Sequence, residues 1–261
     1  RFPAQVIEQL SSTKLIVTAG MRNLAIDMEA ARARGIDVCG TQMMGYPAAE
    51  LAWALVMALF KRIPAEHQAM RDGLWQTTMA QGMNGKTFGL FGLGKLGQRV
   101  ARMAQAFEMN VIAWSQNLTD EAAAKHGVER VEWEALLERS DVLCVQAVLS
   151  DRTRGKIGAA ELARMKSSAY VVNTSRGPIV DEPALLAALG DGTIAGAGLD
   201  VFEVEPLPTD HPFRSLDNVV LTGHTGYVTD DLYTLVYGQA VDNIRGWQAG
   251  DTLRLLNGTG A

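Results

Sequence analysis

Three residues with complementary chemistry stand at matched places in the chain. Arg176 lies in Asn173-Thr174-Ser175-Arg176-Gly177, Glu205 in Asp200-Val201-Phe202-Glu203-Val204-Glu205-Pro206, and His224 in Thr222-Gly223-His224-Thr225-Gly226. Each follows an apolar run of strand length: Ala169–Asn173, Gly196–Asp200 and Asn218–Thr222. An imidazole can give or take a proton near neutral pH. A carboxylate beside it favours the protonated ring and fixes its orientation. A guanidinium offers a planar fork that grips a carboxylate in two places and polarises a neighbouring carbonyl. The set suits proton transfer at the oxygen of a small molecule that carries a carboxylate. Taken singly, each residue has a plainer explanation, since an arginine is commonly a surface charge and a lone histidine is more often structural.

A second pattern lies upstream. The strand-like run Lys86–Phe91 leads directly into Gly92-Leu93-Gly94-Lys95-Leu96-Gly97, and a helical pattern follows over Lys95–Glu108. The first glycine of such a turn permits the tight bend, the second lets the backbone approach a pyrophosphate, and the third lets helix and strand pack closely. Free amides at the helix start attract the phosphates. The glycine spacing alone is a weak signal; the strand before it and the helix after it make it a dinucleotide site. The next strand, Asn110–Trp114, ends at Ser115-Gln116-Asn117. Here an acidic residue would hold the ribose of NAD, or an arginine the 2′-phosphate of NADP, and the chain has neither. Gln116 can pair with a hydroxyl but cannot neutralise a phosphate, so the loop leans toward NAD without excluding NADP. With a nicotinamide as hydride source and a protein group as proton source, the charged trio fits reduction of a 2-oxo acid.

These residues require a scaffold that brings strand ends together. From residue 86 onward, the runs Lys86–Phe91, Asn110–Trp114, Asp141–Gln146, Ala169–Asn173, Gly196–Asp200 and Asn218–Thr222 alternate with helical patterns such as Trp133–Arg139 and Asp181–Leu189. In the last of these, Asp181 is placed to cap, Pro183 sits in the first turn and Gly190 falls just past the end. Six strands with interleaved helices predict an α/β, doubly wound parallel sheet of the Rossmann kind. Ligands of such sheets bind beyond the carboxyl ends of the strands, where the trio falls. The earlier part repeats the pattern on a smaller scale: a strand at Leu15–Thr18, a helix over Leu24–Arg34 ended by Gly35, and a strand at Ile36–Cys39. Pro47 then opens an apolar helix, Ala48–Arg62, stopped before Pro64, which reads equally as core or as subunit interface. A last helix, Asp230–Gly246, runs back toward the N-terminal part. The division expected is a dinucleotide-binding domain over 47–228 and a smaller domain from 1–46 plus 229–261.

Bulk properties narrow the remaining classes. The 261 residues carry a net charge of −5 with no basic run, which argues against a nucleic-acid or anionic-membrane partner. The longest strongly apolar stretch, Leu51–Phe60, is far short of the ~20 residues of a membrane span, and no signal peptide opens the chain. Cys39 and Cys144 lie in apolar runs and read as small buried hydrophobes of a reducing compartment, hence a cytoplasmic protein. The four histidines and two cysteines show no metal-ligand spacing, so no metal is expected. The chain opens on Arg1 rather than Met, which reads as a natural start lying further upstream.

The segments Phe91–Gly97, Val172–Gly177, Gly198–Pro206 and Thr222–Gly226 together resemble the signature blocks of the D-2-hydroxyacid dehydrogenases, a family that includes glyoxylate/hydroxypyruvate reductases, phosphoglycerate dehydrogenases and formate dehydrogenases. The resemblance runs across nearly the whole chain. It implies two Rossmann-like domains, the smaller flavodoxin-like and substrate-binding, with the active site between them. It implies NAD as cofactor, a small 2-oxo or 2-hydroxy acid as substrate, and a homodimer built partly through helix 48–63. Residue by residue, it gives Arg176 the substrate, Glu205 the pairing with His224, His224 the acid/base work, and Asp200 the nicotinamide amide. It adds Lys95, Leu96, Ser115, Gln116, Val148, Thr174 and Gly226 to the glycines Gly92, Gly94 and Gly97 as cofactor contacts. The turn Ala19-Gly20-Met21 matches a loop whose amides hold the substrate carboxylate.

The chain also departs from the family pattern. Gly223 stands where a proline usually precedes the histidine, Gln146 where a histidine is common, and Val148 where a proline is common. Family members usually carry a further stretch before the segment matching Arg1, so the smaller domain is expected to be incomplete, with an exposed sheet edge or apolar patch. Two rival readings stand beside the enzyme. One is an NAD(H)-sensing binding protein without catalysis, like the corepressor relatives of the family. The other is an S-adenosylmethionine methyltransferase, which shares the glycine-rich turn but has no use for an arginine, a glutamate and a histidine at three strand ends.

Overall fold

A computed structural model describes residues 2–258. The chain divides into two compact units, Arg1–Met44 with Val228–Ala261, and Gly45–Tyr227. In the smaller unit, β1 (Leu15–Val17) pairs in parallel with β2 (Asp37–Cys39), Leu15 opposite Asp37 and Val17 opposite Cys39. The connecting helix begins at Met28 rather than Leu24, because Asp27 adopts an extended backbone and caps it, accepting from the Ala30 amide at 2.9 Å. Ile7, Ile26, Ala31, Ile36 and Val38 form this unit's core. The helix Asp230–Ala249 belongs here too, and runs past the predicted Gly246 to Gly250, which ends it in the left-handed region at φ 89°. Trp247 Nε1 donates to Asp37 at 2.8 Å, and Asn243 Nδ2 to the Gly40 carbonyl at 2.8 Å. The same helix leaves Tyr233, Tyr237, Val241 and Ile244 exposed along one face. Among the described residues, this unit's sheet has two strands.

The larger unit is built on seven strands: β3 (Thr87–Phe91), β4 (Asn110–Trp114), β5 (Glu129–Arg130), β6 (Val142–Val145), β7 (Tyr170–Asn173), β8 (Gly196–Leu199) and β9 (Val219–Leu221). Their order is β5-β4-β3-β6-β7-β8-β9 and every pairing is parallel. The order reverses between β3 and β6, the switch point at which a doubly wound sheet opens a crevice for a ligand. The sequence reading of six strands misses β5, whose two residues, both charged, give no apolar run.

Alternating side chains of the central strands feed two cores, one on each face. Phe88 and Leu90 pack with Leu55 and Phe60 of the helix Tyr46–Phe60 and with Val100 and Ala104 of the helix Lys95–Ala106. Phe91, Leu143 and Val171 pack on the opposite face with Trp133, Leu137, Leu162 and Leu189. The helix Tyr46–Phe60 spends Ala48, Ala49, Ala52, Leu55, Val56 and Leu59 on the interior of its own unit. The chain turns after it at Arg62, φ 50°, and resumes as a second helix, Ile63–Arg71, with Pro64 in its first turn. The helix after Asp181 includes Gly190 as its last residue rather than stopping before it. No helix among the described residues is long and apolar enough to cross a membrane.

Candidate active site

The glycine-rich turn has a distinct geometry at each of its three glycines. Gly92 sits at φ 105°, and a Cβ there would lie 2.9 Å from the Gln146 carbonyl carbon, so neither its backbone nor its space admits a side chain. A Cβ on Gly97 would lie 2.2 Å from the Gly92 carbonyl oxygen, which is the close approach of helix to strand. A Cβ on Gly94 would meet nothing within 4 Å. The helix Lys95–Ala106 starts there with no side-chain cap, so its first-turn amides have neither an intrahelical nor a capping acceptor. An open backbone face beside uncapped amides fits the pyrophosphate of a dinucleotide. The helix stops at Ala106 rather than Glu108, because Glu108 turns into the left-handed region at φ 59°.

The other residues expected from the sequence to meet the cofactor are less uniform. Lys95 and Gln116 are exposed, Leu96 and Ser115 half-buried, and Val148 is 78% exposed. Gln146 Nε2 donates to the hydroxyl of buried Thr174 at 3.2 Å, which ties the loop after β6 to the end of β7. Lys156, which the sequence reading passed over, stands beside the end of β4 with its Nζ 5.5 Å from the Trp114 ring and 4.7 Å from the Trp133 ring. Only packing brings it there, from 42 residues along the chain (156 − 114).

Beyond the ends of β8 and β9, His224 Nδ1 and Glu205 Oε2 are 2.6 Å apart. The other oxygen of Glu205 accepts from the Phe202 amide at 3.0 Å. His224 occupies the left-handed region at φ 55°, an uncommon state for a residue with a Cβ. Buried Asp200 holds it there. The His224 amide donates to the Asp200 carbonyl at 2.8 Å, while the Asp200 carboxylate accepts from the Thr222 hydroxyl at 2.6 Å and from the amides of Thr225 and Gly226 at 2.8 and 3.0 Å. This fastening of the histidine loop has no sequence signal, because its partners lie on different strands. A cavity of about 490 Å³ is walled by His224, Glu205, Phe202, Leu221 and Arg214. Gly223 borders it too, and a Cβ on Gly223 would meet nothing within 4 Å.

Arg176 is exposed after the end of β7, with Nη1 donating to the Ser175 carbonyl at 2.6 Å. Among the described residues, no ion pair or hydrogen bond joins Arg176 to Glu205 or His224. Asn173 steadies its loop, donating from Nδ2 to the Arg176 carbonyl and accepting from the Ser175 amide, both at 3.0 Å. Burial pushes the nearby Tyr227 hydroxyl above the usual phenol range, while the Arg176 charge pulls it the other way. In the smaller unit, Gly20 stands at φ 88° and its amide donates to the Thr41 hydroxyl at 3.1 Å, while Met21 is exposed. The Gly20 amide is therefore engaged within the chain.

Residues 53–226 match the family described as D-isomer specific 2-hydroxyacid dehydrogenase, NAD binding domain. A glyoxylate reductase of Korarchaeum cryptofilum is 34% identical over 95% of this chain and 77% of its own length. A D-3-phosphoglycerate dehydrogenase of Methanocaldococcus jannaschii is 37% identical over 97% of this chain, which spans 49% of that longer protein. Among solved structures, a phosphoglycerate oxidoreductase from Vibrio cholerae superposes with a TM-score of 0.89 at 29% identity, covering 95% of this chain and 81% of that one. A glyoxylate reductase from Paecilomyes thermophila superposes at 0.81 with 33% identity, covering 98% and 79%. The chain belongs to the D-isomer specific 2-hydroxyacid dehydrogenase family. It is thus an oxidoreductase of the 2-hydroxyacid type, and its larger unit is an NAD-binding Rossmann domain.

Proposed function

We propose that this protein reduces a small 2-oxo acid to the D-2-hydroxy acid, with His224 as acid/base, Glu205 as its partner and Arg176 as substrate anchor. The observation that carries this reading is the 2.6 Å contact of His224 with Glu205 in the wall of a cavity beyond the strand ends. Nδ1 is committed to Glu205, which leaves Nε2 to deliver the proton to the substrate oxygen. The Glu205 carboxylate accepts a hydrogen bond from Nδ1–H, fixes the tautomer and stabilises the imidazolium before the Nε2 proton leaves. The Phe202 amide on its second oxygen keeps that carboxylate in place. Arg176 brings an exposed guanidinium with no carboxylate partner among the described residues, which suits a fork on a substrate carboxylate.

In the smaller unit, the turn Ala19–Met21 offers the amides of Ala19 and Met21 to a substrate carboxylate, since the Gly20 amide is used by Thr41. In this reading the smaller unit, Arg1–Met44 with Val228–Ala261, is the substrate domain and the larger, Gly45–Tyr227, the cofactor domain. NADH, when bound, supplies the hydride. Gly92, Gly94 and Gly97 with the amides of Lys95 and Leu96 would hold its pyrophosphate, Ser115, Gln116 and Val148 would flank the adenosine, and Thr174, Asp200 and Gly226 would border the nicotinamide. The substrates named for the relatives point to glyoxylate or a three-carbon analogue. We also propose a homodimer that includes helix 48–63 and the neighbouring exposed Leu74, Trp75 and Met79, and a cytoplasmic location suited to two free buried thiols.

The test is NADH turnover with glyoxylate, hydroxypyruvate and longer 2-oxo acids. His224→Gln is expected to lower turnover by about 10² to 10⁴ and to leave NADH affinity, read by fluorescence, nearly unchanged. Binding of NADH with no turnover on any acid of the panel would instead identify a sensor. An active His224→Gln enzyme would remove the mechanism.

A further inference from the structure

A second histidine–glutamate pair lies behind the loop that carries Glu205. His211 Nε2 is 3.0 Å from Glu182 Oε1, and both side chains are largely buried, at 13% and 21% exposed. The Phe213 amide donates to His211 Nδ1 at 3.3 Å, so Nδ1 is an acceptor and the ring proton sits on Nε2, aimed at Glu182. The other oxygen of Glu182 accepts from the Glu203 amide at 3.3 Å. The preceding amide, that of Phe202, donates to Glu205. Two consecutive amides of one loop are therefore held by two carboxylates, one of which is the partner of His224. Gly177 also lies directly against this peptide, since a Cβ there would lie 2.1 Å from the Phe202 carbonyl carbon and 2.6 Å from the Glu203 nitrogen. A glutamate in the first turn of a helix is ordinary in itself. Here both its oxygens are engaged on elements outside its own helix.

We propose that Glu182 and His211 form a positioning pair, which clamps the Phe202–Glu203 peptide against Gly177 and thereby sets Glu205 on His224. The inference rests on the reading of His224 as acid/base, and its mechanics are geometric. With Glu182 gone, the Glu203 amide loses its acceptor and His211 loses its anchor, so the peptide can swing on the side away from Gly177. The Phe202 amide and the Glu205 carboxylate then move together, and the 2.6 Å contact with His224 lengthens. The charged groups next to the pair are Asp181, Asp210, Arg214, whose amide donates to the His211 carbonyl at 3.0 Å, and Glu203, whose amide donates to Glu182 and whose carboxylate lies 3.7 Å from Arg154. Those next to the His224–Glu205 dyad are Asp200, whose carbonyl accepts from the His224 amide at 2.8 Å, and Arg214, which lines the same cavity. All of them remain in a Glu182 variant.

The experiment is a double-mutant cycle of Glu182→Ala and Glu205→Gln on the full chain, read by NMR titration of the His224 ring and by NADH turnover with the best acid of the panel. Glu205→Gln is expected to lower the His224 titration midpoint, because it removes a charge that favours the protonated ring. Glu182→Ala is expected to shift it the same way and to cost about tenfold in kcat, with NADH affinity unchanged. The double variant should match Glu205→Gln alone, because Glu182 acts only through Glu205. Glu182→Gln, which keeps the shape but only one acceptor oxygen for the two donors, should show the same effects in smaller measure, and it carries the test if the alanine variant does not fold. Losses that multiply in the double variant, or a His224 midpoint unmoved by either Glu182 substitution, would overturn the proposal. A Glu205→Gln chain with an unmoved midpoint would overturn the dyad itself and the positioning role with it. A fully active His224→Gln enzyme would overturn the acid/base reading, which the NMR arm does not test.

Discussion

Alanine at Gly97 and at Gly94 should have separable consequences, and the structure fixes the difference. At Gly97 the added methyl would lie 2.2 Å from the Gly92 carbonyl oxygen. An ordinary carbon–oxygen contact needs about 1 Å more, so either the turn or the helix Lys95–Ala106 must yield. Overpacking of this kind costs about 1–3 kcal/mol, and in a unit of this size each kcal/mol lowers Tm by about 2–4 °C. The same shift carries the first-turn amides away from the pyrophosphate. Loss of one or two charge-assisted hydrogen bonds, at about 1.5–3 kcal/mol each, raises the NADH Kd by at least about tenfold. At Gly94 the methyl meets no protein atom within 4 Å, and the backbone lies at φ −77°, which alanine adopts freely. Gly94→Ala should keep Tm within about 2–4 °C of the parent, the cost of a weaker helix cap of up to about 1 kcal/mol. It should still raise the NADH Kd, because the methyl stands where the pyrophosphate must approach. The assay is thermal melting of the apo protein beside fluorescence titration with NADH. A Gly94→Ala protein that binds NADH as the parent does would refute the placement of the pyrophosphate. A Gly97→Ala protein with unchanged melting would refute the close approach.

Other outcomes follow from the same geometry. Glu205→Gln removes the charge that favours the protonated ring, so the alkaline limb of the reduction profile should move to lower pH. Hydroxyacid oxidation needs the neutral ring and should show the opposite limb; pH–rate profiles in both directions check this, and unchanged profiles would separate Glu205 from His224. NADH should give a higher kcat/KM than NADPH, by about tenfold or more, because Ser115–Leu118 carries no cation and Arg130 is already paired with Glu132 at 2.9 Å. Equal efficiencies would bring Lys156 to the 2′-phosphate. Burial pushes the Cys144 thiol up to about 12 and raises that of Cys39, so both stay protonated and inert at pH 8. Ellman's reagent should find essentially no fast-reacting thiol in the native protein and both cysteines after denaturation. A fast native reaction would contradict their burial in the strands.

The fold class was legible in the chain because hydrophobic periodicity is a local property. The runs that became β3, β4 and β6 to β9 are apolar, with β6 to β8 buried throughout and β9 half-buried at the sheet edge, and parallel pairing leaves that mark directly in composition. The glycine spacing was legible for a similar reason, since the tight turn, the close approach and the open face each exclude side chains at fixed offsets. Local signals also had clear limits. β5 consists of two charged residues and exists only because it lies alongside Ile112 and Ala113. Leu24 fits a helical period, yet the Asp27 cap starts the helix later, since a capped start outweighs the weak preference of the residues before it.

At the candidate site, the chain alone determined the chemical types, Arg176, Glu205 and His224, and their positions just past strand ends. Strand order then sets which ends are neighbours, and that is a tertiary decision. The left-handed backbone of His224, the buried carboxylate of Asp200 that gathers its loop, the peptide of Phe202 and Glu203 against Gly177 and Glu182, and Lys156 over the tryptophans all join residues from different elements. No spacing rule links such residues, because their separation along the chain is set by the lengths of intervening helices. Their hydrogen bonds and close contacts form only once the hydrophobic faces of the sheet are covered and the strand ends are held in register.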